Sequence, residues 1–433
     1  MPTKFEKFTI TEKKYPGLGE KYLKIAFDNG FTCAVIPKDF AVAYACFAVD
    51  FGSADRHYTD KNNADVTFPA GLAHFLEHRM YFTPKGDATN LYAALGGDSN
   101  AYTAPDKTCF LFSAADNIYE NLGVLLEHIS KASFTANATE KEKKIITQEI
   151  NMFRDNKRWL CRKNMLACLY GGDSPIAEDP AGNTESIQSF TRGTLANCKK
   201  NIYNLQNSLL CVCGRVEVEK VIQTIKQNLF LPKSSPLSRL DLTPKGGVVS
   251  GYCEVFSPTP TPYFSIGINL SPFPAEDGEK LFAEVEIALQ LLFGKSSAFY
   301  SECYRRKLFE EFDTGCQTVR NYFFADLSGM SSFPGELYEE VKRHIAETTK
   351  KGFKKADFER VKKSLYGGVV CGFDDAEDIA DNFISHYFES GDSFEYVEVI
   401  KNITKAQAED CLRLYFSPEN TCLSVIKTKE DKT

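Results

Sequence analysis

The chain has 433 residues, of which 43% are hydrophobic and 25% are charged, and its net charge is −7. This composition is that of a globular protein, and at this length two domains are expected rather than one. The acidic balance and the lack of a Lys/Arg-rich block exclude nucleic acid as an expected partner, and no apolar run reaches membrane-spanning length.

The N-terminal sequence MPTKFEKFTITEKKYPGLGEKY has no apolar core of signal-peptide length. The fourteen cysteines are scattered and include no CxxC pair. We therefore expect a cytoplasmic protein whose cysteines are reduced and mostly buried as small hydrophobic side chains.

The first part of the chain predicts a mixture of strands and helices. The segments FTCAVIPK and VAYACFAVDFG are typical of strands that pair with each other, and TCFLFSAA predicts a further strand. The segment DNIYENLGVLLEHISKA predicts a helix with one apolar face. Strand pairs followed by helical stretches favour an α+β fold with mostly antiparallel sheets.

Between these strands lies GLAHFLEHRMYF, with two of the six histidines four residues apart. On a helix, His74, Glu77 and His78 share one face, so two imidazoles could bind one Zn²⁺. Glu77 could then act as a general base towards a water molecule. The alternative is a solvated helix face with two incidental histidines, but the HxxEH spacing in a histidine-poor chain favours the metal site.

A tetrahedral zinc site needs a third protein ligand, and the segment TEKEKKIITQEINMFRDN offers one. Ile146, Glu149, Ile150 and Phe153 share a helical face, and a carboxylate on a core face is costly unless it is paired or bound to a metal. Glu149 is therefore the predicted third ligand, with a buried ion pair to an arginine as the alternative. Glu142 is explained equally well by a capping box with Thr139 or by a supporting role next to the metal.

The chain also repeats itself. The segment FTRGTLANCKKNIYNLQNSLLCV, from Phe190, aligns without gaps with ITKAQAEDCLRLYFSPENTCLSV, from Ile403. Each copy predicts a threonine-capped amphipathic helix, a turn and an apolar strand. A duplicated domain follows. We place the metal-binding domain at residues 1–230, a Pro/Ser/Gly-rich linker at 231–247, and a homologous domain without a metal site at 248–433.

HFLEH, followed downstream by the glutamate of IITQEINM, resembles the pitrilysin/insulinase (inverzincin) family of zinc metallopeptidases. The segments GGDSNAYTAPDKTCF, DPAGNTESI and FGKSSAFYSE extend the resemblance over nearly the whole chain, and it is greatest to the two-domain bacterial branch, which is similar to mitochondrial processing peptidase subunits.

The resemblance implies zinc bound by His74, His78 and Glu149, with Glu77 as the base and Glu142 supporting the site. It also implies that Asn100 and Ala101 bind substrate as an added edge strand, a mode in which main-chain hydrogen bonds hold an extended peptide. From composition alone, SNAYT is a turn that leads into a strand.

Members of this family enclose peptide substrates between two halves, and a chain of this length supplies one half. A partner subunit is therefore implied. The family's substrate-polarising arginine and tyrosine lie seven residues apart, and here Arg305 is followed at that spacing by Phe312, which has no hydrogen-bonding group. This favours a heterodimer with a paralogue that carries the tyrosine over a homodimer. The expected function is zinc-dependent endoproteolysis of short or unfolded peptides, and the alternative is a non-catalytic scaffold subunit.

Overall fold

The computed structural model describes residues 5–240, 242–244, 246–274 and 277–429. The chain forms two compact units. The first unit comprises Met1–Ile150, Asp179–Leu240 and Val370–Glu395, and the second comprises Asn151–Glu178, Asp241–Val369 and Tyr396–Thr433. Each unit thus takes segments from both halves of the chain, which differs from the contiguous ranges 1–230 and 248–433 expected from the sequence.

The main sheet of the first unit has seven strands. In chain order they are β1 Phe8–Tyr15, β2 Glu20–Phe27, β3 Thr32–Pro37, β4 Ala43–Val49, β9 Asp98–Thr103, β10 Thr108–Ala114 and β11 Ser208–Gly214, and between β4 and β9 lie the short strands β5 His57–Thr59, β6 Asp65–Thr67, β7 Phe82–Thr83 and β8 Gly86–Asp87. The sheet order is β1-β2-β3-β11-β4-β10-β9. The predicted pairing of β3 with β4 is wrong, because β11 lies between them, parallel to β3 and antiparallel to β4.

Helices cover this sheet. They are α1 Leu72–Met80, α2 Ala88–Leu95, α3 Ile118–Lys131, α4 Ala136–Asp155, α6 Thr184–Ser189, α7 Arg192–Ile202, α8 Val218–Asn228 and α13 Ala376–Phe388. The core lies between the sheet and the apolar faces of these helices, and the predicted face of α3 contributes Leu122, Leu125 and Ile129, each fully buried. The strands β5 and β6 form a separate three-stranded sheet with β12 Ser238–Arg239, in the order β12-β5-β6.

The second unit repeats this architecture in reduced form. Its strands are β13 Tyr252–Phe256, β14 Tyr263–Asn269, β15 Glu311–Val319, β16 Tyr322–Met330 and β17 Thr421–Lys427. Its helices are α5 Lys157–Tyr170, α9 Gly278–Phe293, α10 Ala298–Arg305, α11 Pro334–Lys351, α12 Lys355–Cys371, α14 Ser393–Asn402 and α15 Lys405–Tyr415.

The two sheets share one topology. The order β13-β17-β14-β16-β15 repeats the order β3-β11-β4-β10-β9, with the parallel pair at the same place. Both copies of the sequence repeat form a helix with a capping box, at Thr191 and at Thr404, followed by a 3₁₀ turn and a central strand. The predicted α+β fold with two homologous domains is confirmed.

The interleaved division has a physical cause. The helix α5 lies early in the chain but packs against β14 and β17 of the second unit, and α13 lies late in the chain but packs against β4 and β11 of the first unit. Each of these two helices covers an apolar face of a sheet, which must be buried against another element. The composition of a helix does not reveal which sheet it covers, so the sequence could not predict this division.

All fourteen cysteines are free thiols, and eleven of them are buried, as predicted. The first unit carries several on its central strands, where they are fully buried and fill the space of small apolar side chains. No helix in the described part of the chain has both the length and the hydropathy that a membrane crossing requires.

Candidate metal centre

The helix α1 carries the HxxEH sequence, and its start is fixed by close backbone packing. Gly71 precedes it with a φ of 82°, and a Cβ at this position would lie 2.4 Å from the carbonyl oxygen of Ala181. Only glycine combines this left-handed conformation with so close an approach. The partner segment is the DPAGN stretch, where a Cβ on Gly182 would lie 2.6 Å from the oxygen of Ala70. These two glycines fix where the histidine helix begins.

The two faces of α1 differ as its spacing predicts. Leu72, Phe75 and Leu76 are buried in the core, whereas the side chains of His74 and His78 remain 17% and 22% exposed. The two imidazole rings lie with their centroids 4.7 Å apart. One turn of helix therefore presents two ring nitrogens towards the same space.

Glu149, on α4, reaches this space from 71 residues downstream. Its Oε2 lies 3.9 Å from Nε2 of His74 and 3.6 Å from Nε2 of His78. A tetrahedral zinc ion with bonds of about 2.1 Å holds its ligand atoms about 3.4 Å apart. The donor set and these spacings fit zinc, and within the described residues this is the one group of three or more His, Cys, Asp or Glu side chains so arranged.

The environment of Glu149 differs from the prediction in one respect. Ile146 and Ile150 are fully buried as expected, but Phe153 is 43% exposed and the side chain of Glu149 is 31% exposed. Glu149 thus lies at the rim of the core. The alternative reading, a buried ion pair with an arginine, is not found for Glu149 in the described part of the chain.

Glu142 lies two turns before Glu149 and contacts His78. Its Oε1 lies 3.1 Å from Nδ1 of His78, and its Oε2 accepts a hydrogen bond of 2.9 Å from Arg79. The capping-box interpretation is wrong, because α4 begins at Ala136 and the Thr139 hydroxyl donates to the carbonyl of Thr135 within the helix. Glu142 instead lies against Nδ1 of His78, and in the neutral ring that donates Nδ1–H to Glu142 the lone pair of Nε2 is on the side of Glu149.

The pKa values of the two histidines are shifted in opposite directions. Burial, together with the neighbouring His78, lowers the pKa of His74 to about 4, so its imidazole is neutral at pH 7. Burial also acts to lower the pKa of His78, but its hydrogen bond to Glu142 and the nearby carboxylates outweigh that effect and raise it. Burial acts to raise the pKa of Glu142, yet its bonds to His78 and Arg79 bring it below the ordinary value.

Glu77 lies beside the imidazoles with only 9% of its surface exposed. Burial raises the pKa of its carboxyl, and a hydrogen bond from Thr103 opposes that shift. The Thr103 hydroxyl donates to Oε2 over 2.5 Å. A carboxylate held this way, next to a cluster of metal-ligand type, is chemically suited to accept a proton from water.

The predicted substrate-binding residues Asn100 and Ala101 lie on β9, the outermost strand of the sheet. Ala104 N donates to Lys107 O in the turn after β9. The alternation of an antiparallel pair then directs the main-chain N–H and C=O groups of Ser99, Ala101 and Thr103 towards the open edge. The N–H of Ala101 is engaged by the side-chain oxygen of Asn100 at 2.9 Å.

Arg305 and Phe312 belong to the second unit. Arg305 ends α10, its side chain is 73% exposed, and it pairs with Glu302. Phe312 is 3% exposed and packs against other aromatic rings, including Phe264 and Phe309. The position seven residues after Arg305 therefore holds a core side chain without a hydroxyl.

Two residues of this centre were missed by sequence reasoning. Arg79 occupies the apolar stripe of α1 because its guanidinium is buried against Glu142 and the ring of Phe82. The sequence signal for this contact was an arginine in an otherwise apolar helical stripe, which indicates a buried partner of opposite charge. Thr103 bonds Glu77, and no local pattern links the two, because one ends a strand and the other lies in a helix.

Two family models and several curated proteins match this chain. The family model described as Insulinase (Peptidase family M16) matches residues 48–174, and the model described as Peptidase M16 inactive domain matches residues 189–365. The uncharacterized zinc protease YmfH of Bacillus subtilis is 28% identical over 409 residues, which cover 92% of this chain and 95% of that protein. The Bacillus subtilis zinc protease AlbF is 31% identical over 39% of each chain.

Solved structures share the fold over the whole chain. An M16-like peptidase from Alicyclobacillus acidocaldarius superposes with a TM-score of 0.88 at 24% identity, covering 98% of this chain and 99% of that chain. Pitrilysin superposes with a TM-score of 0.75 at 14% identity, and the match covers 98% of this chain but 47% of the pitrilysin chain. With both family models matched along one chain and a relative named as a zinc protease over 92% of its length, the chain belongs to the M16 (insulinase) family of peptidases.

Proposed function

We propose that this chain is the catalytic subunit of a zinc-dependent endopeptidase, with zinc held by His74, His78 and Glu149. One observation carries the proposal, the convergence of a distant carboxylate with two imidazoles one helical turn apart, beside a second, buried carboxylate. Two nitrogen ligands and one oxygen ligand are the donor set of many catalytic zinc sites, which leave a fourth position open.

The reaction follows from the placement of Glu77. Zinc, when bound, would polarise the scissile carbonyl and make a water molecule more acidic. Glu77 accepts a proton from that water as its oxygen bonds to the carbonyl carbon. Glu77 then gives the proton to the amide nitrogen while the carbon–nitrogen bond breaks, and the carboxylate is regenerated.

The substrate class follows from the open edge of β9. Main-chain groups at this edge would pair with an extended peptide, and such pairing depends little on peptide sequence. Asn100 would release the N–H of Ala101 when a peptide carbonyl takes its place. Short or unfolded peptides meet this requirement, because a folded protein rarely offers a free extended segment.

The complete enzyme requires a second subunit in this proposal. Pitrilysin, of which this chain matches 47%, supports a model in which two chains of this size form one chamber. Phe312, seven residues after Arg305, has no hydroxyl that could donate to a scissile carbonyl. We therefore favour a paralogous partner that supplies this group over an identical one. Co-purification from the native cell identifies the partner, and a fully active monomer would contradict the model.

Replacing Glu77 with glutamine tests the chemistry. The amide keeps the size of the side chain but cannot accept a proton from water. We expect the E77Q variant to bind one zinc per chain, as the parent does, and to lose peptide cleavage by about 10²-fold or more.

The control is E398Q, because Glu398 is a 47% exposed glutamate that pairs only locally with Lys401. This variant should cleave at the parental rate. Parental cleavage by E77Q would remove the general-base assignment. An unchanged zinc content in a variant with both histidines replaced by alanine would remove the metal-site assignment.

A further inference from the structure

The edge strand β9 contacts the proposed base Glu77 through its last residue. It ends at Thr103, whose hydroxyl lies 2.5 Å from Oε2 of Glu77. Ala101 and Thr103 are two residues apart, so their side chains lie on the same face of β9, and Ala101 packs against the core that includes α1. This face brings Thr103 to the helix that carries the base.

The main-chain groups of Thr103 have a different environment. With Tyr102 paired to Cys109 in the ladder, the N–H and C=O of Thr103 point to the open edge, as those of Ala101 do. A peptide that pairs with β9 therefore reaches the residue whose side chain contacts Glu77. The same residue faces both the peptide-binding edge and the base.

We propose that Thr103 is a positioning residue that fixes the orientation of the Glu77 carboxylate and links it to peptide pairing along β9. The proposal rests on the proposed peptidase function of the site. It concerns how the base is held, and it adds no group to those that contact the reacting atoms.

The geometry explains why a hydroxyl is required here. The carboxyl group of a glutamate side chain can rotate about its terminal bond. At a position as buried as Glu77, one short hydrogen bond is enough to fix one of its two oxygens. Thr103 occupies Oε2, and no other side chain of the described residues donates to Glu77. Oε1 therefore stays free for water. The hydroxyl of a β-branched residue on a strand has few rotamers, so it is itself well fixed.

The main test compares Thr103→Val with Thr103→Ser. Valine keeps the shape and removes the donor, and serine keeps the donor. We expect T103V to lower kcat by about 10- to 100-fold, as supporting residues around metal sites commonly do, while KM stays near the parental value. T103S should recover most of the loss. Zinc content should be unchanged in both variants.

Thr224→Val is the matched control. Thr224 is 8% exposed, and its hydroxyl donates to a helix carbonyl, that of Lys220. T224V should lower the unfolding midpoint without changing kcat. Parental kcat in T103V, or a T103S variant as slow as T103V, would overturn the proposal.

A second measurement needs neither metal nor turnover. In the metal-free protein, a double-mutant cycle of unfolding midpoints over T103V, E77L and the double variant reports the contact itself, because leucine cannot accept the hydrogen bond of the Thr103 hydroxyl. We expect the two effects to be strongly non-additive, and strict additivity would overturn the proposal. If the parent enzyme cleaves no peptide, the proposed function fails, but this cycle still decides whether Thr103 holds Glu77.

Discussion

Glu142 offers a prediction in which stability and metal binding can be separated. Its carboxylate bonds the buried guanidinium of Arg79 through one oxygen and the ring of His78 through the other. Replacing Glu142 with glutamine removes the negative charge and keeps the volume. The change should therefore act on the free energy of unfolding and on zinc affinity through two different neighbours.

The magnitudes follow from burial. The side chains of Arg79 and Glu142 are only 6% and 8% exposed, so glutamine leaves a buried guanidinium without a counter-charge. Breaking a buried pair from one side costs about 3–5 kcal/mol of unfolding free energy. Loss of the charged acceptor at Nδ1 of His78 should weaken zinc binding by about 10- to 100-fold.

Three variants measured in parallel separate the two effects. Chemical unfolding of the metal-free protein gives the stability, and competition with a chelator gives the zinc affinity. E142Q should lose both. R79M should lose stability but keep zinc affinity, because the bond between Glu142 and His78 remains. The double variant R79M/E142L should regain most of the stability, since an apolar pair replaces the ion pair, and still bind zinc weakly.

Two results would refute this reasoning. If E142Q destabilised the metal-free protein by less than about 1 kcal/mol, the ion pair would behave as an exposed one. If the double variant bound zinc as tightly as the parent, Glu142 would have no part in orienting His78. Either result would show that this carboxylate serves only one of its two neighbours.

Two further predictions concern the first unit. Gly71→Ala should lower its unfolding free energy by about 2–5 kcal/mol, because the new Cβ meets a backbone carbonyl at 2.4 Å in a left-handed conformation. The control Gly172→Ala has open space around the new Cβ and should be near neutral. Equal effects of the two changes in denaturant titrations would contradict the backbone packing at Gly71. Burial lowers the pKa of Lys199 to about 8 from 10.5, although its ammonium donates to the helix carbonyls of Ser130 and Ala132. The unfolded chain then binds more protons than the folded one between these values, so stability should rise as pH increases from about 8 to 10.5. Lys199→Met should remove that rise and stabilise the protein at pH 7 by up to about 3 kcal/mol, less the two lost hydrogen bonds; a parental pH profile in this variant would show that Lys199 is not the cause.

Local periodicity predicted the parts of this protein that depend on short segments. The spacing of His74, Glu77 and His78 follows directly from the helical repeat, so their shared face needed no tertiary information. Glu149 was predicted from two chemical requirements. A zinc site needs a third protein ligand, and a carboxylate on a mostly apolar helical face is costly unless it is paired or bound to a metal. The repeated capping boxes at Thr191 and Thr404 are likewise local.

Features set by tertiary structure were not predicted. The segments of β3 and β4 resemble a hairpin, but a strand from far downstream inserts between them. Glu142 fits a capping box in sequence, yet α4 begins a turn earlier and frees it for His78. The contact between Thr103 and Glu77 joins a strand end to a helix. In each case the residue or strand that determines the structure is distant in the chain, and local sequence patterns do not predict such contacts.

The duplication also suggests why the metal centre occurs in one copy. The centre requires Glu77, Arg79 and Glu142 to be buried, and buried charges stabilise a fold poorly even when paired. In the second unit, the helix at the place of α1 is α9, whose inner face carries Val285, Leu289 and other fully buried apolar residues. The apolar side chains of that face contribute stability without desolvating a charge, whereas Glu286 on the same helix is partly buried and accepts a hydrogen bond from the Tyr396 hydroxyl. A duplicated fold can therefore keep the costly polar cluster in one unit, where the proposed catalysis requires it, and keep the same topology in the other unit with an apolar helix face at that place.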